Sequence, residues 1–323
     1  MKLLCCESMV TLMGLVLSHP APGATRLGAP SREILLPQRF VDQPIPIWQN
    51  GYFLTYDATV LVSPNVYLYN SAGTLSRKIK VAIPETVQND VLAVSISTQG
   101  IVAVSGGARN VNGRESAYVA WYSKSGELER IVQSNPFIAY HLCFTDDGKL
   151  WALGREQQQY GGNEQSHNVL YHFSENGLLL NSVLPLASFP TIDRHPAIQA
   201  LLVSGKDRVG IYSEPANEWV EVGLSGEVIG RWRGAETSVA TSFRVRGAAL
   251  APSGLVYVSA VIQDGPKGPS RAQIFTLNRA NGTWESVDLA GKKPEETALI
   301  AGSDGGQLVV TKRLPSYGWV SPE

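Results

Sequence analysis

Short apolar segments separated by glycine-containing turns recur about every 50 residues, and this period predicts an all-β fold, a six-bladed β-propeller with four antiparallel strands in each blade. The composition supports this prediction, since the 323 residues include 31 glycines and 19 prolines, both of which interrupt helices. No window of about ten residues has the spacing of an amphipathic helix. Long helices are therefore not expected.

The first series of turns accounts for six hairpins. In residues 144–153, for example, one apolar run ends at Phe144, a turn follows at Gly148, and a second run begins at Leu150. The same order of strand, tight turn and strand surrounds Gly51, Gly100, Gly148, Gly205, Gly254 and Gly305. Consecutive glycines are about 50 residues apart, so each indicates one repeat.

A second series of turns runs out of phase with the first. Each member has a strand, often aromatic, then a turn containing Ser or Asn, a glycine, and an apolar residue two places further on, as in Tyr67–Leu75. The glycines of this series are Gly73, Gly126, Gly177, Gly226 and Gly282. Two interleaved hairpins with one period give four strands per repeat, which is the blade of a propeller.

The number of repeats favours six blades. Six first-series turns fall between Ser31 and Glu323, at about 49 residues each, whereas seven blades would need about 42. The sixth repeat ends after a third strand at 318–320, and Arg32–Leu36 has a strand pattern with no hairpin partner ahead of it. We expect this N-terminal strand to complete the sixth blade, because ring closure removes sheet edges that would otherwise aggregate.

Other architectures fit the pattern less well. A β-sandwich does not need a period near 50, and an α/β fold needs helical windows. The repeats resemble those of six-bladed propellers of the broad NHL-repeat and TolB-like class, over about nine-tenths of the chain. The Trp-Asp and Gly-His signatures of WD40 blades are missing, and the diglycines do not recur at equivalent positions as in kelch repeats. The resemblance implies an architecture and leaves the function open.

The N-terminus has the pattern of a secretory signal peptide. Lys2 precedes an apolar run at Val10–Leu17, and small residues follow this run. The run is shorter than the ~20 residues that span a bilayer. We expect an exported protein, secreted or periplasmic and without a membrane span, with a signal peptide at 1–24 and a single propeller domain at 25–323. The alternative is translation from Met9.

The charge balance narrows the classes of binding partner. The 27 Lys and Arg residues balance 28 Asp and Glu residues, for a net charge of −1, and the chain has no basic block. This balance argues against nucleic acid and against an anionic membrane, which leaves a small molecule or a protein.

Cys5 and Cys6 would leave with the signal peptide, so Cys143 would have no disulfide partner. Its apolar surroundings favour a buried, inert thiol.

Propeller geometry indicates where binding residues should lie. The two series of tight turns lie on one face of the ring, and the longer connections lie on the other face. Long polar loops on a rigid scaffold are common binding positions, although each one could be a solvated insertion. The expected loops span Ser105–Ser116, Gly154–Asn168, Ser188–Pro196, Gly234–Arg244 and Ala260–Arg271.

Candidate site residues are those that precede or begin the innermost strands, because these approach the central channel. They are Asp90, Tyr140, His141, Arg194, His195, Arg244, Arg246 and Glu296. Arg244 and Arg246 are two apart on a predicted strand and form the best anion-binding pair. Alternatively, they pair with Glu236 or Glu296. His141 has apolar neighbours, so the alternative for this residue is a buried histidine with its hydrogen bonds satisfied.

Motifs for common catalytic chemistries are missing. The chain has no Gly-x-Ser-x-Gly, His-Glu-x-x-His, Gly-x-Gly-x-x-Gly or Cys-x-x-Cys, and no cofactor or metal ligand can be named. Asp146 and Asp147 precede Gly148, which favours a turn role over a catalytic pair. The sequence therefore favours an exported binding or scaffold propeller. The alternative is a metal-dependent propeller hydrolase of the lactonase type, or a lyase, whose ligands come from different blades.

Overall fold

Antiparallel strands make up nearly all regular structure in the computed structural model of the chain. The structure describes residues 26–37, 43–157, 166–190, 194–235, 242–263, 265, 268–291, 298–312 and 315–322. The predicted signal peptide, residues 1–24, lies outside these ranges. Within them 3-10 helix occurs at Ser166 and at Leu186–Ser188, and no helix is both long and apolar enough to cross a membrane.

The strands form six sheets that follow one another along the chain, as predicted. From the innermost strand outward, blade 1 contains β3 (Ile47–Gln49), β4 (Tyr52–Tyr56), β5 (Asn65–Asn70) and β6 (Leu75–Lys80). Blade 2 contains β7 (Thr86–Asn89) with β8 (Ala93–Ile96), then β9 (Val102–Asn110), β10 (Glu115–Tyr122) and β11 (Leu128–Gln133). Blade 3 contains β12 (Phe137–Phe144), β13 (Leu150–Glu156), β14 (Asn168–Phe173) and β15 (Leu179–Pro185).

Blades 4 to 6 follow the same plan. Blade 4 contains β16 (Ala200–Ser204), β17 (Arg208–Ser213), β18 (Glu218–Gly223) and β19 (Val228–Arg233). Blade 5 contains β20 (Ser242–Leu250), β21 (Val256–Gln263), β22 (Ser270–Asn278) and β23 (Thr283–Leu289). Blade 6 contains β24 (Ile300–Asp304), β25 (Gln307–Thr311), β26 (Ser316–Val320) and β2 (Arg32–Leu35). Adjacent blades contact one another in chain order, and β24 packs against β3 to close the ring.

The predicted turn glycines lie in the hairpin turns on one face, which we call the turn face. All five glycines of the second series have positive φ, and so do five of the six in the first series, Gly205 being the exception. Gly126, for instance, has φ 91°, a value that side chains with a Cβ rarely adopt. The connections at the opposite ends of the strands form the other face, the loop face.

The N-terminal strand closes the ring, as the sequence predicted. β2 pairs antiparallel with β26, with Arg32 opposite Trp319 and Leu35 opposite Ser316. A feature that the sequence did not predict comes just before it. The two-residue strand β1 (Arg26–Leu27) pairs in parallel with β23, the outer strand of blade 5, so the N-terminal segment is fixed to two neighbouring blades.

Six clusters of buried apolar side chains hold the described part of the ring together, one at each boundary between neighbouring blades. The cluster between blades 6 and 1 is the most aromatic. Trp48 meets Trp319 edge to face at 5.2 Å, and Phe53 lies 4.6 Å from Tyr317. The closing interface is therefore packed like the other five.

The expected loops at Ser105–Ser116 and Ala260–Arg271 are wrong in extent. Residues 102–110 and 115–122 are paired strands, and only a short turn at 111–114 connects them. Likewise, β21 extends as far as Gln263 and β22 begins at Ser270, and the two strands are paired up to these residues. The polar composition of these segments suggested loops, but their backbone groups are bonded to neighbouring strands. Parts of the other three expected loops lie outside the described residues.

Candidate functional site

A cavity of about 620 Å³ runs along the axis of the ring between the innermost strands. Its size falls within the range typical of small-molecule sites. Residues from all six blades line it, among them Ile47, Leu92, Leu142, Val203 and Ala248. Apolar residues outnumber polar ones in its lining, although polar atoms make up nearly half of the wall, and the charged side chains lie at the two mouths.

Irregularities in the innermost strands shape the loop-face mouth. Blade 2 has a break at residues 90–92 between β7 and β8, and the pairing shifts at Tyr140 in β12 and at Arg246 in β20. A bulge leaves one residue without a partner and redirects its side chain. Tyr140 and Arg246 both line the cavity, so the bulges place a phenol and a guanidinium at the mouth.

Three arginines lie around one carboxylate beside this mouth. Arg244, Arg246 and Arg194 act electrostatically on Glu214, and the backbone N–H of Val245 donates to its carboxylate. Burial raises the pKa of Glu214, and the nearby arginines oppose that rise. Among these described residues, three guanidinium groups act on a single carboxylate, so the group carries a net positive charge. We call Arg194, Arg244, Arg246 and Glu214 the arginine cluster.

The two central arginines have no carboxylate partner at salt-bridge distance among the described residues. Both of them, Arg244 and Arg246, are exposed. Arg194 is also exposed, and its Nη1 donates to Gln199 Oε1 at 3.1 Å. The alternative partners, Glu236 and Glu296, lie outside the described residues, so a pairing with them stays a prediction.

The two predicted histidines are both hydrogen-bonded to the backbone of the same residue, Ala197. Nδ1 of His195 accepts a hydrogen bond from the N–H of Ala197 at 3.3 Å, and His141 is hydrogen-bonded to the backbone of Ala197. Burial lowers the pKa of each imidazole to about 4, and for His195 the charge of Arg155 adds to the effect. Both rings are therefore neutral at pH 7, so neither histidine adds positive charge at the mouth. One ring nitrogen of His141 is therefore bonded, while the side chain stays partly exposed at the cavity wall.

Asp90 lies in a second, smaller cavity of about 300 Å³ on the loop face. Its Oδ1 accepts from the N–H of Gly107, and its carbonyl accepts from Tyr118 Oη at 2.6 Å. These bonds hold the break in the inner strand of blade 2. Tyr140 lines both cavities, so the two are neighbours.

The predicted site residues thus divide into groups. Tyr140, His141 and Arg246 line the channel cavity, and His195, next to Ala197, lies in the connection beside it. Arg194 and Arg244 belong to the arginine cluster, Asp90 lies in the adjacent cavity, and Glu296 is outside the described ranges.

Sequence reasoning missed Glu214 and Arg155, which lie at the loop-face ends of second strands. The sequence prediction considered only residues near the starts of inner strands, whereas these two residues follow or end second strands. The signal that could have found them is a charged residue directly after, or at the end of, an apolar second strand, as in Ile211–Glu214.

The turn-face mouth carries Asp146, Lys206 and Asp304. Asp147 does not belong to it, since its Oδ1 accepts from Thr145 Oγ1 at 2.6 Å and its Oδ2 from Lys149 Nζ at 2.6 Å. The predicted turn role is confirmed for Asp147. Asp146, in contrast, is exposed and faces the channel.

The described residues contain neither a metal-binding group nor an exposed thiol. In the part of the chain that the structure describes, no three His, Cys, Asp or Glu side chains are grouped so that they could hold a metal ion. Cys143 is buried between blades 3 and 4, and burial raises the pKa of its thiol. This placement confirms the buried-thiol prediction.

The chain is similar in structure to several solved proteins. A member of the DUF4221 family from Bacteroides vulgatus is 8% identical, with 92% of this chain and 99% of that chain aligned and a TM-score of 0.51. A gluconolactonase from Xanthomonas campestris is 14% identical over 87% and 86% of the two chains, with a TM-score of 0.50. Virginiamycin B lyase from Staphylococcus aureus is 13% identical over 90% and 99%, with a TM-score of 0.44.

These likenesses show the fold and no more, because all the identities are low. No protein-family model matches the chain, and no curated protein matches it in sequence. The six sheets themselves make the chain a six-bladed β-propeller.

Proposed function

We propose that this chain is an exported binding propeller that recognises an anionic ligand at the loop-face mouth of its central channel. The observation that carries the proposal is the arginine cluster, in which Arg194, Arg244 and Arg246 surround one carboxylate next to a cavity. Guanidinium groups bind carboxylates, phosphates and sulfonates through paired hydrogen bonds. A rigid ring presents these groups with little ordering cost.

The neighbouring side chains agree with recognition of an anion. His141 and His195 are neutral at pH 7, so neither adds charge nor titrates near that pH. Arg155 acts on His195 and therefore lies on the same side of the mouth. Among the described residues of the arginine cluster, Glu214 alone opposes a bound anion, and burial raises its pKa.

Replacing Arg244 and Arg246 together by Ala should weaken the binding of pyrophosphate or inorganic sulfate at least tenfold and leave the fold unchanged. Each guanidinium supplies charge-assisted hydrogen bonds worth about 1.5–3 kcal/mol. Titration calorimetry measures the affinity, and circular dichroism checks the fold. Arg114→Ala is the matched control, because Arg114 is an exposed arginine in a loop-face turn of blade 2 and lines neither cavity. Equal affinities in the wild type and the double variant, or no binding by the wild type, would refute the proposal.

Export is the second part of the proposal and rests on the sequence pattern at Lys2 and Val10–Leu17. The mature chain should begin between about His19 and Thr25, outside the cytoplasm. N-terminal sequencing of native material tests this expectation. Recovery of chains that begin at Met1 or Met9 from the cytoplasm would show that the segment is not cleaved for export.

The alternative, a metal-dependent hydrolase of the lactonase type or a lyase, stays a prediction of the sequence. The likeness to the gluconolactonase concerns the fold alone. Elemental analysis of the purified protein distinguishes the two functions, since the hydrolase would retain a stoichiometric metal ion.

A further inference from the structure

We propose that the anion bound at the loop-face mouth carries an apolar chain or ring, and that this apolar part lies inside the channel. The inference rests on the proposed function, because the arginines hold the charged group. It adds the chemical class of the ligand and the depth to which the ligand enters.

The order of residues along the inner strands supports this class of ligand. On β20, Arg246 lies at the mouth, and Ala248 and Leu250 follow it along the cavity wall. On β12, Tyr140 and Leu142 are arranged in the same way. Four residues of strand span about 13 Å, so an apolar zone of that depth lies beneath the guanidinium. An extended chain of eight carbons fits within this depth.

Blade 1 supplies apolar side chains that are still in contact with water. Ile45 is 42% exposed and Ile47 37% exposed, and both line the cavity. On the opposite side of the ring, Leu201 and Val203 of blade 4 line the same cavity and are partly exposed. Exposed apolar residues are ordinary on a convex surface, but within a concave cavity they form a surface that an apolar ligand can cover.

Charge at the far end of the channel orients the ligand. The turn-face mouth has two carboxylates, Asp146 and Asp304, and one ammonium group, Lys206. Asp304 Oδ2 accepts from Trp319 Nε1 at 2.9 Å, which fixes this carboxylate at the mouth. An anionic group is disfavoured beside two carboxylates and favoured beside the arginine cluster. The charged end of the ligand therefore lies at the loop face and its apolar end points inward.

Methanesulfonate, butanesulfonate and octanesulfonate are suitable probes, since sulfonates stay ionised over the whole working pH range. Each buried CH₂ should tighten binding by up to about fourfold, so octanesulfonate should bind at least 100-fold more tightly than methanesulfonate. The double variant Ile45→Thr, Ile47→Thr should lose about tenfold in octanesulfonate affinity and keep the methanesulfonate affinity. Both side chains are partly exposed, so an unchanged thermal midpoint confirms that this variant folds.

The outcomes separate this inference from the proposed function. If methanesulfonate and octanesulfonate bind equally well and both need Arg244 and Arg246, the anion site stands and the apolar part of the inference is wrong. If 1-octanol binds as tightly as octanesulfonate, and the arginine variants bind both normally, the proposed function is wrong. If neither sulfonate binds, both are wrong. A strong dependence on chain length that disappears in the isoleucine variant supports the inference.

Discussion

Removal of residues 1–37 should open the propeller and leave a protein that aggregates or unfolds at a markedly lower temperature. The deletion removes β2, so that β26 becomes an unpaired edge with free N–H and C=O groups. It also removes Leu27 and Leu36, which are almost fully buried. Burial of two leucines contributes about 3–6 kcal/mol, to which the lost strand pairing adds.

Two shorter truncations serve as controls for this experiment. A chain that begins at Arg26 keeps β1 and β2 and should match the full-length domain in thermal midpoint. A chain that begins at Ser31 loses only β1 and should show an intermediate loss. Thermal denaturation followed by circular dichroism, together with size-exclusion chromatography, measures the series. A monomeric product lacking residues 1–37 with an unchanged midpoint would show that the ring closes without this strand.

Replacement of Glu221 by Ala should destabilise the fold by about 3–5 kcal/mol, the usual cost of removing one partner of a buried ion pair. Glu221 is fully buried in β18. Its Oε2 accepts from Arg208 at 2.8 Å, and its Oε1 accepts from Arg279 at 2.7 Å and from the indole of Trp219 at 2.9 Å. Because Arg279 belongs to the blade 5 hairpin, this carboxylate joins two blades. Without it, the guanidinium of Arg279 and the indole of Trp219 lose their acceptor, and Arg208 keeps only the exposed Asp207.

Asp207→Asn is the matched control for this variant. Asp207 pairs with the same Arg208 at 2.8 Å but is exposed to solvent, and exposed pairs contribute about 0–1 kcal/mol. Urea denaturation at a fixed pH gives both free energies of unfolding. Equal, small losses for Glu221→Ala and Asp207→Asn would contradict the account of blade 4 and blade 5 as joined by a buried charge.

The blades could be predicted because their turns follow local chemistry. A tight hairpin needs a residue with positive φ, and glycines such as Gly73 and Gly254 supply it. The period of these turns predicted the number of blades, and the unpaired strand pattern at Arg32–Leu36 predicted how the sixth blade is completed. Both conclusions needed only short stretches of sequence and the principle that sheet edges are avoided.

The candidate site was harder to predict from the sequence, because its residues come together only when the ring closes. Glu214 and Arg244 come from neighbouring blades, and no local spacing records their approach. The bulge at Arg246 leaves no residue-type signature either, yet it decides which arginine faces the cavity. The parallel addition of β1 involves only two residues, too few to form a recognisable strand pattern.

A crystal structure of the protein with octanesulfonate tests the central claim most directly. The account predicts sulfonate oxygens hydrogen-bonded to the guanidinium of Arg246 at the loop-face mouth, with the alkyl chain along Ile47 and Leu142. A sulfonate bound at Lys206 on the turn face, or an alkyl chain outside the channel, would contradict it.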